Sequence, residues 1–211
     1  MSTLISAARG AEPVDLQTAP SDDRTGLFCL ECKRYLKNDE TIPRVHCAKC
    51  GKANLRLFLL PADLALINAT TVAQVTSRSW WHFTTRASWP PAENKLVHLG
   101  SLPAAIARVS NGQHKLEPPH LNGTAVTALY FHKVSISSTE LLTEVTVEGQ
   151  SSTIREDEAL SSGQLLRYVN FYEAPGSVSL LLRSSDVEVV DTIPIPVTRG
   201  DISTLRWLTR Y

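Results

Sequence analysis

Cys29, Cys32, Cys47 and Cys50 are the only cysteines among 211 residues, and they are spaced as C-x-x-C, 14 residues, C-x-x-C. Four thiolates in two tight pairs suit tetrahedral Zn²⁺, which takes sulfur ligands at about 2.3 Å. Each C-x-x-C turn sets two sulfurs on one side of a metal. Ala48-Lys49 and Gly51-Lys52 surround the second pair, and Gly51 can adopt the positive φ that such turns often use. Two disulfides would need an oxidising compartment, to which nothing in the chain points. A thioredoxin-like C-x-x-C would adjoin a βαβ pattern and would not come twice. His46 adjoins Cys47 but is surplus once four cysteines are present. The spacing predicts a structural zinc ribbon over residues 25–58.

Three further segments carry side chains suited to chemistry. Trp80-Trp81-His82-Phe83-Thr84-Thr85 reads as a strand with His82 and Thr84 on one face and Trp81 and Phe83 on the other. Val97-His98-Leu99-Gly100-Ser101 leads into a helix, and a strand-to-helix turn offers free backbone N–H groups to an anion such as phosphate. Ordinary capping by Ser101 would explain the same residues. Tyr168 to Tyr172 reads as an aromatic strand, ending in Glu173-Ala174-Pro175-Gly176 and two serines, Ser177 and Ser179.

The elements that must position these residues are mostly strands. Residues 1–24 read as a flexible tail, with Ala19-Pro20-Ser21-Asp22-Asp23 as a linker. Leu27-Phe28 and Leu55–Phe58 should flank the metal as short strands, and Pro61-Ala62-Asp63 should open a short helix over Leu64–Ile67. Residues 95–99 read as a strand, and Leu102 to about Val109 as a helix with Pro103 in its first turn. Ala125–Ile136, Leu141–Glu148, Leu165–Tyr172 and Ser177–Arg183 read as strands. In the second of these, Glu144, Thr146 and Glu148 should face solvent. Val187–Val190 and Ile193–Val197 read as two short pieces, the latter an edge because of its prolines. The fold class expected is α+β: a strand-rich split-sheet domain with few helices over residues 72–211, behind a small zinc ribbon.

Composition narrows the class of protein. Hydrophobic residues make up 43% and charged residues 20%, which is ordinary for a globular chain. Formal net charge is zero, so no global field draws the chain to nucleic acid or membrane. Between Arg24 and Arg56, however, eight basic residues face three acidic ones, so the ribbon itself is basic; this suits a nucleic-acid or acidic protein target, and equally a small solvated domain with ordinary surface lysines. No apolar run reaches the roughly 18 residues of a membrane span, and the start of the chain does not read as a secretory signal. A cytoplasmic protein with reduced, metal-bound thiols is expected.

The order of the three segments resembles the ADP-ribosyltransferase fold, a split α+β domain that binds NAD in a cleft between two small sheets. The resemblance covers residues 78 to 197 and leaves out the ribbon. The diphtheria-toxin-like branch, with the RNA 2′-phosphotransferases and RES-type NAD-consuming toxins as relatives, carries a histidine on the first core strand and commonly an acid late in the domain. The resemblance implies that His82 with Thr84 binds the ribose and nicotinamide side of NAD, and that His98, Gly100 and Ser101 also belong to the cofactor site. It implies that Tyr168 or Tyr172 stacks on nicotinamide. Glu173 would accept from the nicotinamide ribose and stabilise the oxocarbenium ion as nicotinamide leaves. His82 and Glu173 would then be the catalytic pair. Three departures stand out: His-Phe-Thr replaces the usual His-Gly-Thr, the tyrosine pair of the toxin branch has no secure counterpart, and Glu173 lacks an E-x-E or Q-x-E dyad.

Two functions from different classes follow. One is an NAD-using ADP-ribosyltransferase or NAD glycohydrolase whose ribbon recognises the target. The other is a non-catalytic zinc-ribbon module that binds nucleic acid or a protein partner through Lys33, Arg34, Lys49 and Lys52. A metalloenzyme built on the six histidines is disfavoured, because they show no spacing such as H-x-x-x-H.

Overall fold

The computed structural model describes residues 2–5, 14–20, 26–36, 46–84, 86–91, 93–110, 127–148, 160–171 and 174–197. Ser2–Ile5 (β1) and Val14–Gln17 (β2) form an antiparallel pair. Leu27–Cys29 (β3), Arg34–Tyr35 (β4) and Leu55–Leu57 (β5) form the ribbon sheet, in the order β4-β3-β5. Pro61–Asp63 makes one 3-10 turn and leads into the short helix Leu64–Ile67 (α1).

Val72–Thr76 (α2) is a helix the sequence reading passed over, although Thr71-x-x-Gln74 is a capping box. The Thr71 hydroxyl accepts from the Gln74 backbone N–H at 3.3 Å, and the Gln74 side-chain Oε1 accepts from the Thr71 N–H at 3.1 Å.

The larger part of the fold holds two sheets. Leu96–Leu99 (β7), Glu140–Val147 (β9), Gln164–Val169 (β10) and Val178–Arg183 (β11) are ordered β7-β11-β10-β9. Trp80–Thr84 (β6), Thr127–Ile136 (β8) and Val187–Val197 (β12) are ordered β12-β8-β6. Leu102–Ser110 (α3) follows β7. This is the strand-rich, split-sheet α+β class expected. One backbone bridge joins the two sheets among the described residues: Trp81 and Gly100 exchange hydrogen bonds of 2.9 and 3.0 Å. Beyond that pair β6 and β7 diverge.

Alternation of apolar residues sets both faces of the four-stranded sheet. Val97, Leu99, Leu165, Val169, Leu180 and Leu182 lie on the face that forms the main core. His98, Gly100, Tyr168 and Ser179 take the alternate positions and so lie on the other face. Arg167 is the polar exception on the core face. Its buried guanidinium donates to the carbonyls of Leu66, Ile67 and Ala69 at 2.8–2.9 Å and of Leu142 at 3.0 Å. It thereby closes the carboxyl end of α1, where orphan carbonyls favour a cation. Burial pulls its pKa below the usual guanidinium value.

The structure amends the sequence reading in three places. Residues 14–20 belong to the fold and are not part of a tail: Leu16 and Ala19 are buried, and the Ala19 N–H donates to the Leu59 carbonyl at 2.7 Å. The pieces Val187–Val190 and Ile193–Val197 form one edge strand, bridged across a bulge between Val189 and Asp191. Thr146 is buried, because β10 pairs alongside it through Tyr168. Glu148 accepts from the Phe171 N–H at 3.0 Å. The ribbon also shares its interior with the larger sheets, since Leu27, Cys29, Cys47 and Leu57 belong to the same buried cluster as Val169 and Leu180. Among the described residues, no helix is long and apolar enough to cross a membrane.

Candidate metal centre and inter-sheet cleft

The ribbon folds its two C-x-x-C turns toward one point. The sulfurs of Cys29 and Cys50 lie 3.7 Å apart, as do those of Cys32 and Cys47. All four sulfurs fall within 4.8 Å of one another. A tetrahedron of sulfurs about 2.3 Å from zinc has edges of roughly 3.8 Å, whereas a disulfide bond is only about 2.05 Å long. The spacing therefore fits a metal and not a cystine. Local turns impose this geometry. Gly51 sits at φ +69°, and its N–H donates to the Cys47 carbonyl at 2.7 Å. The Cys32 N–H donates to the Cys29 sulfur at 3.3 Å. His46 is exposed and outside the cluster.

Electrostatics point the same way. Four thiols this close cannot all ionise without a cation. The Cys32 thiol is pushed up to about 12, first by its hydrogen bond with Cys50 and then by burial. Burial works against ionisation of Cys47 too, but hydrogen bonds from the backbone N–H groups of Cys50 and Lys49 and from the Cys29 and Cys32 thiols together outweigh it and draw this thiol down to about 6. One divalent cation would let all four ionise together.

The second feature is a cleft where the two sheets part, lined by His82 and Phe83 of β6, His98 of β7, Gly100, Ala104 of α3, Tyr168 of β10 and Ser179 of β11, among others. His82 Nδ1 lies 2.8 Å from the His98 carbonyl oxygen. A carbonyl only accepts, so Nδ1 carries a proton and donates it to that oxygen. The His82 ring stacks on Trp89, centroids 4.2 Å apart and 13° from parallel. His98 Nδ1 lies 3.1 Å from the Tyr168 hydroxyl, with the two rings edge to face. Trp81 points its backbone N–H and C=O at Gly100, so strand alternation aims those of Phe83 into the widening gap. The enclosed part of the cleft is only about 20 Å³, room for one water. A larger ligand must occupy the open mouth or part the side chains around it.

The structure thus brings His82, His98, Gly100 and Tyr168 together. Ser101 is buried and serves as a cap: its hydroxyl accepts from the Ala104 N–H at 3.3 Å. Thr84 is not among the lining residues, and its hydroxyl accepts from the Arg86 N–H at 3.2 Å. Tyr172 and Glu173 lie outside the described residues. Ser179 was not singled out as a site residue, although its position two residues beyond Ser177 in a strand opposite Tyr168 placed it on the same face.

Behind His82, Trp89 also stacks on His132 of β8 at 5.6 Å. His132 is buried, with Nδ1 2.9 Å from the Thr192 hydroxyl. Burial holds its pKa below the ordinary imidazole value, opposed in part by the Arg86 carbonyl. Below about pH 6.5 the unfolded chain binds a proton that the folded imidazole resists. This contribution to stability is therefore complete above about pH 6.5 and falls as pH drops toward the lower folded value. Urea titrations at about pH 7.5 and pH 5.5 should show a smaller loss for His132→Gln than for the parent. Equal losses in the two proteins would remove His132 from the acid response.

No family model, curated protein or solved structure matches the chain.

Proposed function

We propose that the inter-sheet cleft binds NAD and that the chain is an ADP-ribosyltransferase-like enzyme whose zinc ribbon is built into the same core. The observation that carries this reading is the convergence of His82, His98, Gly100 and Tyr168, drawn from three separate strands and a turn, on one cleft at the split between the sheets. Each was nominated for the cofactor from sequence alone, and they are up to 86 residues apart in the chain.

The chemistry available is coherent. His82 is oriented by the His98 carbonyl and by the face of Trp89, which fixes the direction of its ring at the cleft wall. Tyr168 supplies a rigid aromatic wall for a flat leaving group. The Phe83 backbone offers one donor and one acceptor on the opposite side, a pattern that suits a carboxamide. Cleavage of a pyridinium glycosidic bond develops cationic charge, which a carboxylate such as Glu173 would stabilise.

A second reading keeps the ribbon as a contact surface for nucleic acid or protein. It draws on the ribbon face opposite the metal, where Phe28, Tyr35 and Phe58 meet edge to face and Arg56 lies over Phe58 at 5.4 Å. Calorimetry with NAD⁺ separates the two. Saturable binding that weakens about tenfold in His82→Ala is expected, the loss of one hydrogen bond and one ring contact. No heat at millimolar NAD⁺ from folded, zinc-loaded protein would reject the cleft reading and leave the ribbon face as the site to pursue.

A further inference from the structure

Between the metal centre and the cleft lies the turn that joins β10 to β11, residues 174–178. The ribbon and the segment leaving it grip this turn from one side. The Gly26 N–H donates to the Pro175 carbonyl at 2.7 Å, and the Leu60 N–H donates to the Gly176 carbonyl at 2.9 Å. The Val178 N–H donates to Asp63 Oδ2 at 3.1 Å, and Arg78 pairs with the other oxygen of that buried carboxylate. Gly26 directly precedes β3, which carries Cys29, and accepts at 2.5 Å from the N–H of Phe58, directly after β5. The bonds from Gly26 and Leu60 thus come from the points where the chain enters and leaves the zinc-held unit.

Asn170 grips the turn from the other side. Its backbone exchanges bonds with Gly176 and Ser177 at 2.9 and 2.8 Å. Its side-chain Nδ2 lies 3.2 Å from the Ser177 carbonyl, which can only accept and so fixes the amide orientation. The same nitrogen reaches Ser177 Oγ at 3.0 Å and Ser179 Oγ at 2.7 Å. Asn170 is fully buried, and its Oδ1 has no partner among the described residues. An orphaned buried carbonyl of this kind is destabilising, and an apolar residue would avoid it. The amide is kept despite that cost, and what it touches is the turn on one side and a cleft residue on the other.

We infer that the zinc ribbon positions the cleft. The metal fixes Gly26 and Leu60, these fix the turn, and Asn170 carries that placement to Ser179 and to Tyr168, its cross-strand partner. Asn170 is thus a positioning residue. The inference rests on the cleft being the NAD site, and it makes metal and dinucleotide thermodynamically linked. Whatever factor one lends the other's affinity must be returned in full.

The test is a chelator competition that reads apparent zinc affinity with and without saturating NAD⁺, on the full chain and on Asn170→Ala. NAD⁺ should tighten zinc binding by about fivefold or more in the parent, the lower end of usual coupling. It should do so by less than about twofold in Asn170→Ala. No coupling in the parent overturns the inference. So does coupling that survives in Asn170→Ala, because the link then runs through global stability alone. Asn170→Ser is the substitute if the alanine variant does not fold. Should NAD⁺ fail to bind the parent, the cleft reading falls by itself. Amide exchange over residues 168–179 then decides the relay: faster exchange in Asn170→Ala keeps it, and unchanged protection overturns it.

Discussion

Cys47→Ser will strip the protein of its metal and lower its stability throughout, by about 3 kcal/mol or more, a fall in Tm of about 10 °C for a chain of this size. Three observations set the size of this effect. The four sulfurs already sit at tetrahedral spacing, so the metal binds with little rearrangement. Structural zinc sites contribute about 10–16 kcal/mol of apparent binding energy in zinc-finger peptides, comparable with the whole stability of a typical domain. Cys47 is also fully buried in the cluster that contains Leu180 and Val169. Loss of the metal therefore opens the main core and does not merely fray an appendage. Metal analysis should give close to one zinc per chain in the parent and almost none in the variant, and Lys49→Ala should retain both metal and Tm. A variant that loses its metal yet melts where the parent does would show that the ribbon is a separate unit and that the shared core is not continuous.

What could be read in the sequence, and what could not, follows from the range of each interaction. The cysteine pairs were legible because ligand spacing is local and the donor set is chemically selective. Strands β6, β8, β10 and β11 were legible because apolar and β-branched runs are local as well. Nothing local announces that Gly100 meets Trp81 across the split, or that Arg167 closes α1 from about 100 residues away. Residues 14–20 were misjudged for the same reason. Their composition is that of a tail, and only the isolated bridge to Leu59 and the burial of Leu16 and Ala19 show that they pack against the fold. Ser101 was legible as a cap, and the cap is what forms. Thr71-x-x-Gln74 carried an equally clear capping signal that went unused. Within the cleft, His82 and Tyr168 drew notice as unusual types on strands. Ser179 was noted with Ser177 but given no role, since a serine on a strand is unremarkable until a buried amide is found holding it.

Two glycines that face each other give the sharpest expectation about how the ribbon joins the rest of the fold. A Cβ on Gly26 would lie 2.1 Å from the Phe58 carbonyl oxygen and 2.6 Å from Gly176 Cα. A Cβ on Gly176 would lie 2.3 Å from the same oxygen and 2.8 Å from Gly26 Cα, and Gly176 also holds φ at +87°. The obstructing atoms are backbone, so no rotamer change relieves them, and the two chain segments must separate. Gly26→Ala should therefore cost about 3 kcal/mol, at the upper end for overpacking, and Gly176→Ala at least as much because its backbone conformation adds about 1–2 kcal/mol. Gly51 provides the internal control. It too has a positive φ, +69°, but a Cβ there meets nothing within 4 Å. Gly51→Ala should cost only the conformational part, about 1–2 kcal/mol. Because Gly26 and Gly176 share one contact, the double substitution should cost clearly less than the two single costs together. Urea unfolding of the four variants measures all of this. A cost for Gly26→Ala no greater than that for Gly51→Ala would mean that the ribbon does not rest on the residue 174–178 turn, and the route from metal to cleft would lose its first step.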